Sequence, residues 1–208
     1  MQNIDSQTPF SAKMAAEPPR KKPNTTIRTR EYLVAHEIMN LLDAAKSQGR
    51  HRNRDQTLIL LMFRHALRVG EVVVLRWEQV DLKQGLLHVR RLKNGLPSTH
   101  PLRGIELRAL RELQRNYPNT PYVFISERGA PLTTRTVHHI IARAGQAAGL
   151  DMPVHPHMLR HATGFYLASK GHDTRAIQQY MGHSNIKNTV IYSLPEKFCP
   201  KYRLSKLI

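Results

Sequence analysis

The sequence is poor in cysteine, in long apolar runs and in acidic side chains. It has one cysteine, Cys199, which excludes an internal disulfide framework and a cysteine-based zinc site and fits a reducing compartment. Hydrophobic residues make up 40% of the 208 positions, yet no apolar stretch approaches membrane-spanning length, so a soluble chain is expected. No positively charged segment followed by an apolar stretch opens the sequence, and no secretory leader is expected. Acidic residues number 15 against 32 lysines and arginines, a formal charge of +17. Such an excess holds a protein near polyanions, of which nucleic acid is the commonest in the cytoplasm. A basic surface without a partner and a membrane-surface protein are the competing readings. The cations run through the whole chain instead of lining one amphipathic helix, which favours nucleic acid.

The length suits one domain with tails. Residues 1–29 lack periodicity and end in the basic run Arg20, Lys21 and Lys22, reading as a flexible arm. Residues 30–194 carry the domain, expected to be mainly α with a small antiparallel β-sheet. From Glu31 to Ser47 apolar residues recur at helical spacing, and Gln56 to Leu67 is apolar nearly all round, the pattern of a buried central helix. That helix is expected to end at Arg68, with Gly70 capping the next one and Glu71 in its first turn. Arg68 thus stands beside the core, where its charge needs either a salt bridge to Glu71 or an anion.

Period-two alternation over residues 85–92 predicts a strand, Lys93-Asn94-Gly95 a tight hairpin turn, and Thr99 to Leu102 the return strand. Amphipathic helices are expected over 103–117 and from Thr134 to about Ala148, with Tyr122 to Ile125 extended between them. Pro156 suits a first helical position, Gly171 a stop, Asp173 a cap and Gly182 a further stop; Ser184 or Asn185 would cap a last helix bearing Tyr192. Residues 195–208 form a short basic tail.

Arg68, Lys93, His157, Arg160, His183 and Tyr192 suit attack on a phosphodiester. His157 and Arg160, three apart on a helix, project from one face. Two arginines can clamp non-bridging oxygens, a lysine can protonate a leaving oxygen, and a phenol can form a phosphoester that conserves energy for rejoining. Alternatives stay open. His155, His157 and His161 could be taken for a metal site, although no cysteine or nearby carboxylate supports it. Tyr180 or Tyr202 could be the nucleophile, and the chain could be a regulator that binds DNA without catalysis or a type IB topoisomerase.

In order and spacing these residues resemble the tyrosine recombinase (phage integrase) family. The matching stretches are Ala66-Leu67-Arg68-Val69-Gly70-Glu71, the Lys93 hairpin, His157-Met158-Leu159-Arg160-His161, and Met181-Gly182-His183 followed by Tyr192. The resemblance implies that Arg68 and Arg160 hold the scissile phosphate and that His157 partners them in acid–base transfer. It makes Lys93 the general acid, His183 a hydrogen-bond donor and Tyr192 the nucleophile of a 3′-phosphotyrosyl link. Glu71 and His161 would support the site; no metal or cofactor is implied. The DNA-facing cations expected are Arg20, Lys21, Lys22, Arg90, Arg91 and Arg135. The segment Thr99 to Leu102 and the wording from His155 to His161 are similar to the fimbrial phase-variation invertases. That similarity implies double-stranded DNA with short inverted repeats as partner, a homo-tetramer on two paired sites, and a cytoplasmic location at the bacterial nucleoid. About 30 residues precede the domain where most relatives carry a helical clamp. Help is therefore expected from the arm, from protomer contacts in which Phe198, Leu204 and Leu207 of the tail dock on a neighbour, or from DNA-bending host proteins.

Overall fold

The structure, a computed structural model, describes residues 30–92 and 95–193. The expectations for Arg20, Lys21, Lys22, Lys93, Phe198, Leu204 and Leu207 lie outside the described residues.

The expected class, mainly α with one small antiparallel sheet, is the one observed. Helix α1 (Ala35–Ser47) leads into α2 (Arg52–Arg64), the central element, whose side chains from Leu58 to Phe63 are all buried. A continuous apolar run suits only a helix covered on every side, and α2 packs against α1, α4 (Gly104–Asn116) and α6 (Pro156–Ser169). Its polar start is buried too: Arg54 pairs with Asp55 at 2.8 Å and donates to the Ile125 carbonyl at 2.9 Å. This fastens the extended segment through Val123, Phe124 and Ile125, which forms isolated bridges and no regular strand.

The helix stops at Arg64, earlier than its apolar pattern suggests, because Ala66 turns left-handed with φ +51°. Short helix α3 (Val69–Val73) follows, with Arg68 at its N-cap. Gly70, expected as the cap, lies inside this helix. The end is closed from within: Glu71 folds back to accept from the Arg68 backbone N–H at 2.9 Å. After a 3₁₀ turn (Trp77–Gln79) come β1 (Val80–Asp81), β2 (Leu86–Val89) and β3 (Ser98–Pro101), antiparallel in that order. The ladder closes with Val89 opposite Ser98, and the turn expected at Lys93-Asn94-Gly95 falls on Lys93 and Asn94, outside the described residues. The strand ends because Arg91 leaves the sheet for the interior, and the Leu92 N–H turns to Glu71 at 3.3 Å.

Helix α5 (Thr134–Ala147) begins at Thr133, whose hydroxyl accepts from the Thr136 N–H at 3.1 Å. Pro156 opens α6 as expected, Asp173 caps α7 (Thr174–Met181), and Gly182 ends it at φ +64°. The last helix, α8 (Lys187–Val190), is a single turn that stops before Tyr192. The main apolar core is joined by a second cluster of Val34, Ala66, Phe165, Ile177, Met181 and Tyr192. No described helix is long and apolar enough to cross a membrane.

Phe124 is fully buried at the junction of the extended segment and the core. Phe124→Ala should cost about 3–5 kcal/mol, read as a lower urea midpoint at unchanged slope; a midpoint equal to that of the unaltered chain would contradict this placement.

Candidate active site

The end of α2, the start of α3, the chain after β2 and the middle of α6 bring guanidinium groups to one place. Glu71, 3% exposed, is the carboxylate that Arg68 and Arg91 share. One of its oxygens accepts from Arg68 Nη1 at 2.8 Å, the other from Arg91 Nη1 at 2.9 Å. Burial pushes the Glu71 pKa up, but the Arg68 N–H and the Arg91 charge outweigh it, and the carboxyl stays below its ordinary value. It is ionised at neutral pH.

Arg160, 3% exposed, is held differently. Its guanidinium donates to two backbone carbonyls, that of Ala66 and, at 2.7 Å, that of Met181. Burial first, then the charges of Arg68 and Arg91, lower its pKa to about 9. The left-handed turn at Ala66 and the helix end at Gly182 are therefore what aim the two carbonyls that seat this arginine. Arg68 keeps a quarter of its side chain exposed, so the pair presents one open and one sunken cation.

The histidines and the tyrosine lie around this pair. His157 is exposed, and its ring meets His161 edge-on at 4.7 Å between centroids. Partial desolvation of the ring, then the charges of Arg160 and Arg68, hold its pKa below the ordinary value. His183 is buried, with Nδ1 2.9 Å from the Thr189 hydroxyl; burial and the three arginines lower its pKa to about 3. It is a neutral imidazole, and in the tautomer whose Nδ1 accepts from the Thr189 hydroxyl, Nε2–H is a donor.

Tyr192 is 1% exposed, packed edge-on to Phe165 and so close to Gly164 that a Cβ there would lie 2.5 Å from its ring. Its hydroxyl lies 3.0 Å from His161 Nδ1. Burial pushes the phenol up to about 12, against the pull of Arg160. The pKa of His161 is lowered to about 4 by burial and His157, so its ring is neutral and Nδ1 can accept a hydrogen bond from the phenol. His161, expected only to support the site, is the direct partner of the tyrosine.

The remaining expectations divide. Arg90 is exposed and sits 3.3 Å from Glu78, and Arg135 is exposed near the start of α5; both can meet a polyanion. Arg91 requires a correction: its side chain is fully buried and its Nη1 and Nη2 donors are spent on Glu71 and on backbone carbonyls, so it does not face DNA. Tyr180, the rival nucleophile, is stacked on His100 at 3.9 Å and donates to the Arg64 carbonyl, a core role. Sequence reasoning missed His65 and His100, which link Glu106 to Ser98 in a buried chain of polar contacts. Glu106, at the start of an amphipathic helix, was the one available signal.

His100, His161 and His183 have folded pKa values of about 3, 4 and 3 against an ordinary 6.5. The unfolded chain takes up these protons near pH 6.5 and the folded chain only near 3 to 4. Their contribution is therefore complete above about pH 6.5 and is lost as the pH falls toward 4. Lowering the pH from 7.5 to 5 should reduce unfolding free energy by about 2 kcal/mol or more, measured by urea denaturation. Equal midpoints at the two pH values would contradict the buried neutral histidines.

The sequence model of the Phage integrase family matches residues 31–197. The Type 1 fimbriae regulatory protein FimB of Escherichia coli (strain K12) is 43% identical over 171 residues, 80% of this chain and 85% of that protein. FimE of the same strain is 42% identical over 170 residues, 79% and 85% of the two. Among solved structures, XerA recombinase superposes with a TM-score of 0.70 at 28% identity, over 85% of this chain and 61% of that one. XerH recombinase bound to its difH substrate shares the fold with a TM-score of 0.69 at 22% identity, over 80% and 51%. The present chain thus spans between half and two thirds of those solved chains. A match over most of its length, with two relatives above 40% identity, places the chain in the phage integrase family of tyrosine-type site-specific recombinases.

Proposed function

We propose that this protein cuts and rejoins double-stranded DNA at short inverted repeats, inverting a promoter-bearing segment that switches fimbrial gene expression. The fimbrial part rests on the likeness to FimB and FimE, and the DNA part on relatives solved with DNA. The observation that carries the chemistry is the cluster itself: Arg68 and Arg160 stand beside a phenol and neutral histidines, with Arg160 lacking a carboxylate partner among its described hydrogen bonds.

The two arginines take the non-bridging oxygens of the scissile phosphate, and His183 donates a third hydrogen bond. Tyr192 Oη attacks phosphorus in line. The P–O5′ bond breaks, leaving a 3′-phosphotyrosyl link and a free 5′ hydroxyl. The phenol proton passes to His161 or to His157 beside it, and Lys93 supplies the proton to the departing oxygen. Attack by the 5′ hydroxyl of the partner strand reverses the step and regenerates the phenol. Because Tyr192 is 1% exposed, the segment from Ser184 to Ser193 must swing outward before attack.

Pairing two sites calls for four protomers, and the substrate places the protein in the cytoplasm, at the nucleoid. Arg90 and Arg135, with the basic arm, would track the DNA backbone, and DNA-bending host proteins would bring the paired sites together.

The test is a nicked substrate carrying the inverted repeat, resolved on a denaturing gel, together with a plasmid bearing two inverted repeats read by restriction digestion. The unaltered chain should give a covalent band and an inverted plasmid, and Tyr192→Phe neither, at undiminished DNA binding. A covalent band from Tyr192→Phe would refute the nucleophile. Plasmid relaxation without inversion would identify a topoisomerase, and binding without either reaction a regulator.

A further inference from the structure

Arg91 is a buried cation beside Arg68 and Arg160 that the proposed chemistry leaves without a task. Its side chain is 0% exposed, and its fork reaches four acceptors. Nη1 donates to Glu71 at 2.9 Å and to the Ala66 carbonyl at 3.2 Å, while Nη2 donates to the carbonyls of Tyr180 at 2.6 Å and His65 at 3.2 Å. Three of the four lead to a group of the phosphate site. Glu71 carries Arg68 on its other oxygen, the Ala66 carbonyl also takes Arg160, and Tyr180 begins the helix end that supplies the Met181 carbonyl to Arg160 and leads into His183.

The contact with that helix end is tight as well as polar. A Cβ on Gly182 would lie 2.7 Å from both Cγ and Nε of Arg91, so Arg91 packs directly on the glycine backbone. Nε, buried there, has no hydrogen-bond partner among the described residues. Stability alone does not explain this arrangement. A buried cation that shares its one carboxylate with Arg68 and lies beside Arg160 carries a desolvation cost that a well-packed apolar side chain would avoid. What a planar fork offers, and neither lysine nor an apolar residue does, is several donors at fixed angles.

We infer that Arg91 is a positioning residue for the phosphate clamp: it locks Glu71, the Ala66 turn and the end of α7 into one frame, so that Arg68, Arg160 and His183 converge on the same oxygens. The inference rests on the recombinase reading given above. It accounts for the strand leaving the ladder after Val89, since Arg91 must reach inward. It also gives the chain after β2 a role apart from any DNA contact.

The test compares the full-length chain with Arg91→Lys and Arg91→Met in single-turnover cleavage of a nicked DNA. Two scissile groups are used, the ordinary phosphodiester and a methylphosphonate in which one non-bridging oxygen is a methyl group and the charge is gone. Rate constants are read on pre-bound complexes, so an unfolded fraction lowers the yield of adduct and leaves the constant alone. DNA affinity should be unchanged. On the phosphodiester, Arg91→Met should slow adduct formation by about a hundredfold, as loss of one preorganised donor does, with Arg91→Lys intermediate. On the methylphosphonate, where no charge needs clamping, the penalty should shrink to about tenfold or less. Equal penalties on the two substrates would show a purely structural residue and overturn the inference, as would a rate equal to that of the unaltered chain. No adduct from the unaltered chain on either DNA would overturn the recombinase reading itself, and the positioning role with it.

Discussion

Three guanidinium groups, of Arg68, Arg91 and Arg160, converge on ground where a single carboxylate, Glu71, takes ion pairs from two of them. Charges this close and this dry interact far more strongly than on a wet surface. The lowered pKa of Arg160 is a measure of the cost: burial contributes most, and the neighbouring arginines add to it. The local balance stays positive, so the site is prepared for an anion that the protein does not itself supply. A phosphodiester, with one negative charge spread over two oxygens, matches that need.

The fold is arranged to hold this cost in place. Two left-handed residues, Ala66 and Gly182, end α2 and α7. Each chain reversal frees a carbonyl of its helix end, and Arg160 takes both, at Ala66 and Met181. At Ala66 the conformation is strained for a residue with a Cβ, at a cost on the order of 1–2 kcal/mol, and the packing around it in the second apolar cluster sustains it. Tyr192 belongs to the same cluster. The proposed nucleophile and the turn that seats Arg160 thus share one patch of core.

Elements whose ends carry local chemistry were readable from sequence: Pro156 opening α6, Asp173 capping α7, Gly182 ending it, and the helical spacing of His157, Arg160 and His161. The end of α2 was not, because the apolar pattern runs on to Leu67 and no glycine announces the turn at Ala66. The strand expected to run to Leu92 ends at Val89, because Arg91 and the Leu92 N–H turn to Glu71. Arg91 was expected outside because arginine usually is. Its burial depends on carbonyls from residues far away in the chain, which no local pattern encodes. The pairing of His161 with Tyr192, thirty-one residues apart, is likewise a product of tertiary packing.

The most direct test of the prepared anion site needs no DNA. Thermal unfolding would be followed as sulfate replaces chloride at constant ionic strength, for the unaltered chain and for Arg68→Met, which removes the more open member of the clamp. A ligand that binds only the folded state stabilises by RT ln(1 + [L]/Kd), so the unaltered chain should show a saturating rise in Tm that the variant lacks. The same gradual rise in both proteins would be the general exclusion effect of sulfate, and would contradict a site built to receive a phosphate.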